Sequence, residues 1–283
     1  MECGKAFAPE PAGGGAEPRT GPHFPTVVAM MRTLSSATVA LSLMTLAAPT
    51  ASATPPDAAP HWHYTGPAGP AAWAQLDPQF AACSTGRLQS PIDIRDATPA
   101  PLPPLEFGYG SISPAIVNNG HTVQVNVPPG HVLKVGERRY ELQQFHFHTP
   151  SEERIQGRAS AMVAHLVHRD AEGHLGVVAV LLQPGEQRSG FDAVFEHLPQ
   201  RAGETLTVEN LSLDLPSLLP ATSRYFDYEG SLTTPPCSEG VHWMVLREPV
   251  RLSPRHIKAF RRLYGSNARP VQPLNGRPIK VSP

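Results

Sequence analysis

The sequence predicts a mostly β protein with a few short helices, an α+β domain built on mainly antiparallel strands. Three observations predict it. Short stretches of apolar and strand-forming residues, several of them alternating apolar with polar, recur from about residue 116 onward. Glycines and turn residues separate them. Only two stretches carry a helical pattern, and 33 prolines among 283 residues disfavour a helix bundle, because proline breaks helix interiors.

Residues 1–29 are rich in Gly, Ala and Pro without apolar periodicity, and read as a disordered leader or a mis-assigned start. Residues 30–53 read as a secretory signal peptide: Met30-Met31-Arg32, an apolar stretch from Leu34 to Ala48, and small residues at Ala51-Ser52-Ala53. Translation is therefore expected to begin at Met30 or Met31, and the mature chain near Thr54. Residues 54–283 form the expected single domain, with no internal repeat and no linker after residue 60. Its first part, 54–104, is proline-rich and irregular, with Trp62, Tyr64 and Trp73 as aromatic anchors.

Strands are expected at Ile116-Val117 and Thr122 to Val127, joined by the turn residues Asn118-Asn119-Gly120. Further strands are expected over Val132 to Val135, Glu141 to Thr149, Ala161 to His168, Val177 to Leu182, Thr205 to Val208 and Val241 to Leu246, with Gly136, Gly157, Gly173 and Gly176 as punctuation. The run at 177–182 is apolar throughout, as in a strand buried on both faces. The helical patterns cover Gly190 to His197 and Ser253 to Tyr264, the second opening on a Ser253-Pro254 pair suited to N-cap and N1.

Charge excludes one class of function. Lys and Arg number 23 against 24 Asp and Glu, a net of −1, which argues against a nucleic-acid binder held by bulk electrostatics. The apolar part of the signal is too short to span a bilayer comfortably. An exported protein without stable membrane insertion is expected, periplasmic or secreted. Setting residues 1–53 aside removes Cys3 and leaves Cys83 and Cys237. In an oxidising compartment such a pair reads as a disulfide, the alternative being two buried thiols.

Thirteen histidines make accidental pairs expected. His61-Trp62-His63 lies in the proline-rich segment and reads as surface or packing histidines. His146-Phe147-His148 lies within a strand pattern, so the two rings share one face and Phe147 points to the other. If the next strand pairs antiparallel, His165 converges on them, while His168 has the opposite parity. Three imidazoles with an open fourth position form the zinc arrangement that activates water. Spacing alone leaves two readings open, a metal site and satisfied core histidines.

Further segments occur in a telling order: Gln89-Ser90-Pro91-Ile92-Asp93-Ile94, Asn118-Asn119-Gly120-His121, Gln144-Phe145-His146-Phe147-His148, Ser151-Glu152, Ala164-His165-Leu166-Val167-His168, Gly230-Ser231-Leu232-Thr233-Thr234-Pro235-Pro236-Cys237, and Arg269-Pro270-Val271-Gln272-Pro273-Leu274-Asn275-Gly276-Arg277. From about Trp62 to Lys280 the chain resembles the α-class carbonic anhydrases of the bacterial, exported type. The resemblance implies a single domain around a large twisted, mainly antiparallel central sheet. It implies zinc-dependent, reversible hydration of CO2 to bicarbonate and a proton, with a histidine proton shuttle, in a monomer or homodimer.

Residue by residue, it implies His146, His148 and His165 as Zn2+ ligands, Thr233 and Glu152 as the hydrogen-bonding pair beside the metal, and His121 as the shuttle. Val167, Val177, Leu232, Val241 and Trp243 fall at substrate-pocket positions, with Thr233 and Thr234 orienting substrate. Tyr64, Asn119 and Gln124 match polar positions on the proton path. Gln144 and Asn267 match the acceptors behind His146 and His148, and Cys83 and Cys237 match the family's disulfide.

One departure stands out. Behind His165 the family normally has a glutamate two residues upstream, where this chain has Val163. After Ser151-Glu152, where the family usually has histidine, stands Glu153. We expect that the carboxylate has moved across, with Glu153 serving His165; a plain loss of the partner is the alternative. Two other readings of function remain, a non-catalytic binding protein on the same fold and a weak zinc esterase. The intact histidine set with Thr233 and Glu152 favours hydration, and the absence of H-E-x-x-H argues against a zinc protease.

Overall fold

The alternating segments assemble side by side, as their patterns require. In a computed structural model, residues 61–186 and 189–283 are described; all belong to one unit, Thr54–Pro283. The expected leader (1–29) and signal peptide (30–53) lie outside the described residues. Among the described residues a 13-stranded sheet has a central path running Thr205–Thr207, Ala115–Asn118, Val123–Asn126, Arg138–His148, Met162–Arg169, Leu175–Pro184, Glu239–Leu246, Tyr225–Ser231, Lys280–Val281, Thr98–Pro99.

Most neighbours are antiparallel, but Leu175–Pro184 runs parallel to both Glu239–Leu246 and Val250–Leu252. The sheet is mainly antiparallel, as expected, with parallel pairing at its centre. The parallel strand is the continuously apolar one. It is buried from Gly176 to Leu182, as a strand covered on both faces must be.

Alternation sorts the side chains into two cores. On one face Phe145, Phe147, Ala164, Leu166, Val178, Val180, Met244 and Leu246 pack together. On the other, Val163, Val177, Ala179, Leu181, Val241, Trp243 and Val245 do so. The helix Pro254–Tyr264 covers the first face through Ile257 and Phe260, and Phe260 meets the Phe147 ring at 6.2 Å between centroids. Pro254 opens this helix, but the Ser253 side chain makes no capping hydrogen bond. The other predicted helix, Gly190 to His197, shortens to Phe191–Phe195.

Three local expectations differ from what forms. The segment up to 104 is less irregular than its prolines suggest, with helical turns at Trp73–Leu76 and Ala82–Thr85. Tyr225–Ser231 is a full strand whose pattern Asp227 and Glu229 obscure; Asp227 is satisfied by His242 across the pair, 2.6 Å away. Gly176 is no punctuation but lies inside its strand, because a Cβ there would meet the Tyr140 ring at 3.2 Å. Trp62, Tyr64 and Trp73 do anchor the N-terminal part, edge to face with one another and with Cys83 and Cys237 beside them. Those cysteines are bridged.

Candidate metal centre

The register of two strands builds the centre. His165 lies directly opposite His146, and Val163 opposite His148, in the antiparallel pair Arg138–His148 with Met162–Arg169. Residues two apart share a face, so His146, His148 and His165 gather on one side, each offering a ligand atom within 4.8 Å of the others. A register irregularity follows Val167. His168 turns to the opposite face, bonding the Gly176 carbonyl and the Tyr109 hydroxyl.

Each ring is held from behind. His146 Nδ1 donates to Gln144 Oε1 at 2.8 Å, and His148 Nδ1 to the Asn267 carbonyl at 2.8 Å. His165 Nε2 meets Glu153 Oε1 at 3.0 Å and Oε2 at 3.2 Å. Carbonyls and carboxylates only accept, so the proton of each neutral ring sits on the nitrogen facing its partner. The lone pairs left over are on His146 Nε2, His148 Nε2 and His165 Nδ1. His148 Nε2 is buried without a hydrogen-bond partner, which buried polar atoms rarely tolerate.

Burial, and then the charge of His165, pushes His146 down to about 3. Burial with the two neighbouring rings holds His148 well below the ordinary histidine range. His165 feels burial most, but the Glu153 and Glu152 carboxylates more than offset it and raise its pKa. The donor set therefore fits a divalent cation of zinc's preference: three imidazoles, two kept neutral, with convergent lone pairs and satisfied outer nitrogens.

Glu152 lies beside them, 1 % exposed. Its Oε1 accepts the Arg269 backbone N–H at 2.7 Å. Burial pushes its carboxyl up to about 7, against the lowering influence of His165, Arg269 and the Thr233 side chain. Its Oε2 has no aligned donor, so the Thr233 hydroxyl lies close enough to lower the carboxyl without making an aligned bond. Sequence pattern alone assigns Arg269 no role. Its guanidinium binds Gln89 Oε1, the Ser90 carbonyl and the Cys83 carbonyl, tying the Glu152 contact to the bridged segment. An arginine opening the Arg269-to-Arg277 segment was the available signal.

The apolar positions fall on the same face. Val167, Val177 and Trp243 are in register across three strands, and Val241 and Leu232 complete that wall. The Trp243 ring meets His165 edge to face at 4.9 Å. Thr233 is buried and Thr234 half-buried.

At the mouth, Asn119 Oδ1 accepts from the backbone N–H groups of His121 and Thr122, closing a turn that Gly120 enters at φ +86°. Asn119 is thus committed mainly to this turn. The Gln124 amide donates to Asn126, and Tyr64 lies edge-on to His148 at 6.4 Å. The Asn267 side-chain amide donates to the carbonyls of His121 and Phe147, so one residue joins the shuttle candidate's turn to the strand of His146 and His148. His61 and His63 are exposed as expected, but they lie beside His121 rather than apart from the site.

Comparison with known proteins agrees with this architecture. Residues 68–283 match the family model described as eukaryotic-type carbonic anhydrase. A carbonic anhydrase of Pectobacterium carotovorum is 43% identical over 220 residues, 77% of this chain and 90% of that protein. One from a Nostoc species is 42% identical over 222 residues, 77% of this chain and 84% of the other. A solved structure of a hyperthermostable carbonic anhydrase from a hydrothermal vent chimney superposes with a TM-score of 0.75 at 42% identity, covering 79% of this chain and 100% of that one.

A mixed sheet of this kind, with the histidine cluster on one face, belongs to the α-carbonic anhydrase fold. The chain belongs to the eukaryotic-type, or α, carbonic anhydrase family, and it is an enzyme of that class, acting on CO2 and bicarbonate.

Proposed function

We propose that this carbonic anhydrase works as a zinc enzyme, with His146, His148 and His165 as the ligands. The observation that carries the reading is the convergence of three imidazole lone pairs, one of them on a buried nitrogen with no other partner. Bound there, zinc would supply a Lewis acid that brings water's pKa down to about 7, as is known for this class of enzyme.

The chain's own residues do the rest. Gln144 and the Asn267 carbonyl fix two rings in the tautomer that presents Nε2. A cation at the three histidines would favour the ionised form of Glu152, and the Thr233 hydroxyl, turned toward the unpartnered Oε2, would then donate to it, which leaves the Thr233 oxygen only its acceptor lone pairs for the O–H of the attacking water. That bond fixes the direction of the remaining lone pair. CO2 is small and apolar, and Val167, Val177, Leu232, Val241 and Trp243 give it an apolar wall. The Thr233 backbone N–H and the Thr234 hydroxyl orient it. A neutral substrate needs no steering, in keeping with the net charge of −1.

His121 carries the proton to solvent, a task suited to a side chain that titrates near neutrality. Tyr64, Asn119 and Gln124 order water along that path. Metal analysis tests the ligand set: the purified protein should hold one zinc, and His148→Ala should hold far less while remaining folded. Stoichiometric zinc in His148→Ala would overturn it.

We infer further that residues 30–53 direct export and that the mature chain is 54–283. The Cys83–Cys237 bridge supports an oxidising destination, and no helix among the described residues is long and apolar enough to cross a membrane. Mass spectrometry of the exported protein should find its N-terminus at or near Thr54; a mature chain retaining Cys3 would contradict this.

A further inference from the structure

The three histidines are backed by unlike chemistry. His146 and His148 donate to neutral carbonyl oxygens. His165 instead faces both oxygens of a carboxylate, Glu153, at 3.0 and 3.2 Å. The Glu153 side chain is fully buried and that of His165 is 2% exposed. Burying a carboxylate is costly unless a partner compensates, so this one is not a bystander.

Its backbone is fixed as well. The Ser151 hydroxyl donates to the Glu153 carbonyl at 2.8 Å and accepts from Ser160 N–H at 2.8 Å, and Arg154 begins a short parallel pairing with Asp93–Ile94. Val163 lies on the same strand face as His165, two residues upstream, and is fully buried with nothing to accept a hydrogen bond. Glu152, the neighbouring carboxylate, approaches the other nitrogen, Nδ1, and only to 3.9 Å.

We propose that Glu153 is a positioning residue of this centre. From the loop after the His146 strand, it fixes the His165 proton on Nε2, sets the ring's orientation and raises its basicity as a ligand through Nδ1. It supplies from the loop what a carboxylate at position 163 would supply from the strand. The inference rests on the zinc reading above for its purpose, but its geometry is a property of the metal-free chain.

Two readouts test it. In the metal-free protein, imidazole 15N NMR should show the Nε2–H tautomer at His165 and the Nδ1–H tautomer at His146 and His148. Glu153→Ala should abolish the single tautomer at His165 alone. In chelator competition with zinc, Glu153→Ala should bind roughly 10–100-fold more weakly, Glu153→Gln by an intermediate factor, and Glu153→Gln with Val163→Glu should recover toward wild type. Equal zinc affinity in Glu153→Ala, or an unchanged tautomer, would overturn the proposal. If Glu153→Ala does not fold, Glu153→Gln decides: retained tautomer with weaker zinc supports it, and unchanged zinc affinity overturns it. A wild-type protein that binds no zinc would overturn the zinc reading instead, leaving the tautomer spectrum to judge Glu153.

Discussion

The Trp62 indole and the His121 imidazole lie face to face, 3.8 Å between centroids and 8° between planes. This stack docks the shuttle candidate at the mouth of the site, where His61 approaches it at 5.6 Å. Replacing His121 with Ala should lower the maximal turnover by up to about 10²-fold, the lower end of what a positioned acid–base group contributes, and leave CO2 affinity nearly unchanged. Stopped-flow assays with and without imidazole buffer check this; no loss of turnover and no rescue would reject the role.

Burial, followed by the charges of His61 and His63, holds His121 below the ordinary histidine value. Replacing both neighbours with Ala should therefore raise its pKa, moving the proton-transfer limb of the kcat–pH profile to higher pH. An NMR titration of His121 reads the shift directly. A downward shift, or none, would show that the three rings do not communicate.

His168 gives the fold an acid-sensitive point. Burial pushes it down to about 4, and the neutral ring donates to Gly176 and accepts from Tyr109. Unfolded, it titrates near 6.5. The unfolded chain therefore binds the proton first as pH falls. Its contribution is complete above about 6.5 and is lost progressively down to about 4, amounting to up to about 3 kcal/mol. Urea denaturation at pH 7 and pH 4.5 should show a shallower pH dependence in His168→Gln than in wild type.

Reduction of the Cys83–Cys237 bridge should cost roughly 2–5 kcal/mol, because it releases a long closed loop in the unfolded chain. It should also lower activity, since Arg269 holds the Cys83 carbonyl and, through its backbone N–H, Glu152. Denaturant midpoints and hydration rates, with and without reductant, check both parts.

Thr233→Val removes the hydroxyl beside Glu152 but keeps its volume and its backbone N–H. It should lower kcat/KM by about 10²-fold, the scale of a misoriented reactant, with zinc content unchanged. Full activity would remove Thr233 from the mechanism.

Much of this was legible because it is local. Period-two alternation places His146 and His148 together, and parity along 162–168 sends His165 to them and His168 away. What was not legible depends on non-local pairing. Nothing in Leu175–Pro184 or Glu239–Leu246 announces that these strands run parallel. The Tyr225–Ser231 strand hides behind Asp227 and Glu229; Asp227 is answered by His242 only in the folded sheet, and Glu229 is exposed. The Arg269 backbone contact with Glu152 spans 117 residues and uses an N–H, which every residue type except proline carries. His61 and His63 looked incidental because only the fold brings them beside His121.

The central claim is that zinc held by His146, His148 and His165 is what lets this chain hydrate CO2. Stopped-flow CO2 hydration on the purified protein, with zinc measured in the same samples before chelation, after it and after zinc is restored, tests this most directly. One zinc per chain is expected, with hydration that falls in proportion as zinc is removed and recovers when it returns. Undiminished hydration in zinc-free protein, or none in protein carrying a full zinc complement, would contradict it.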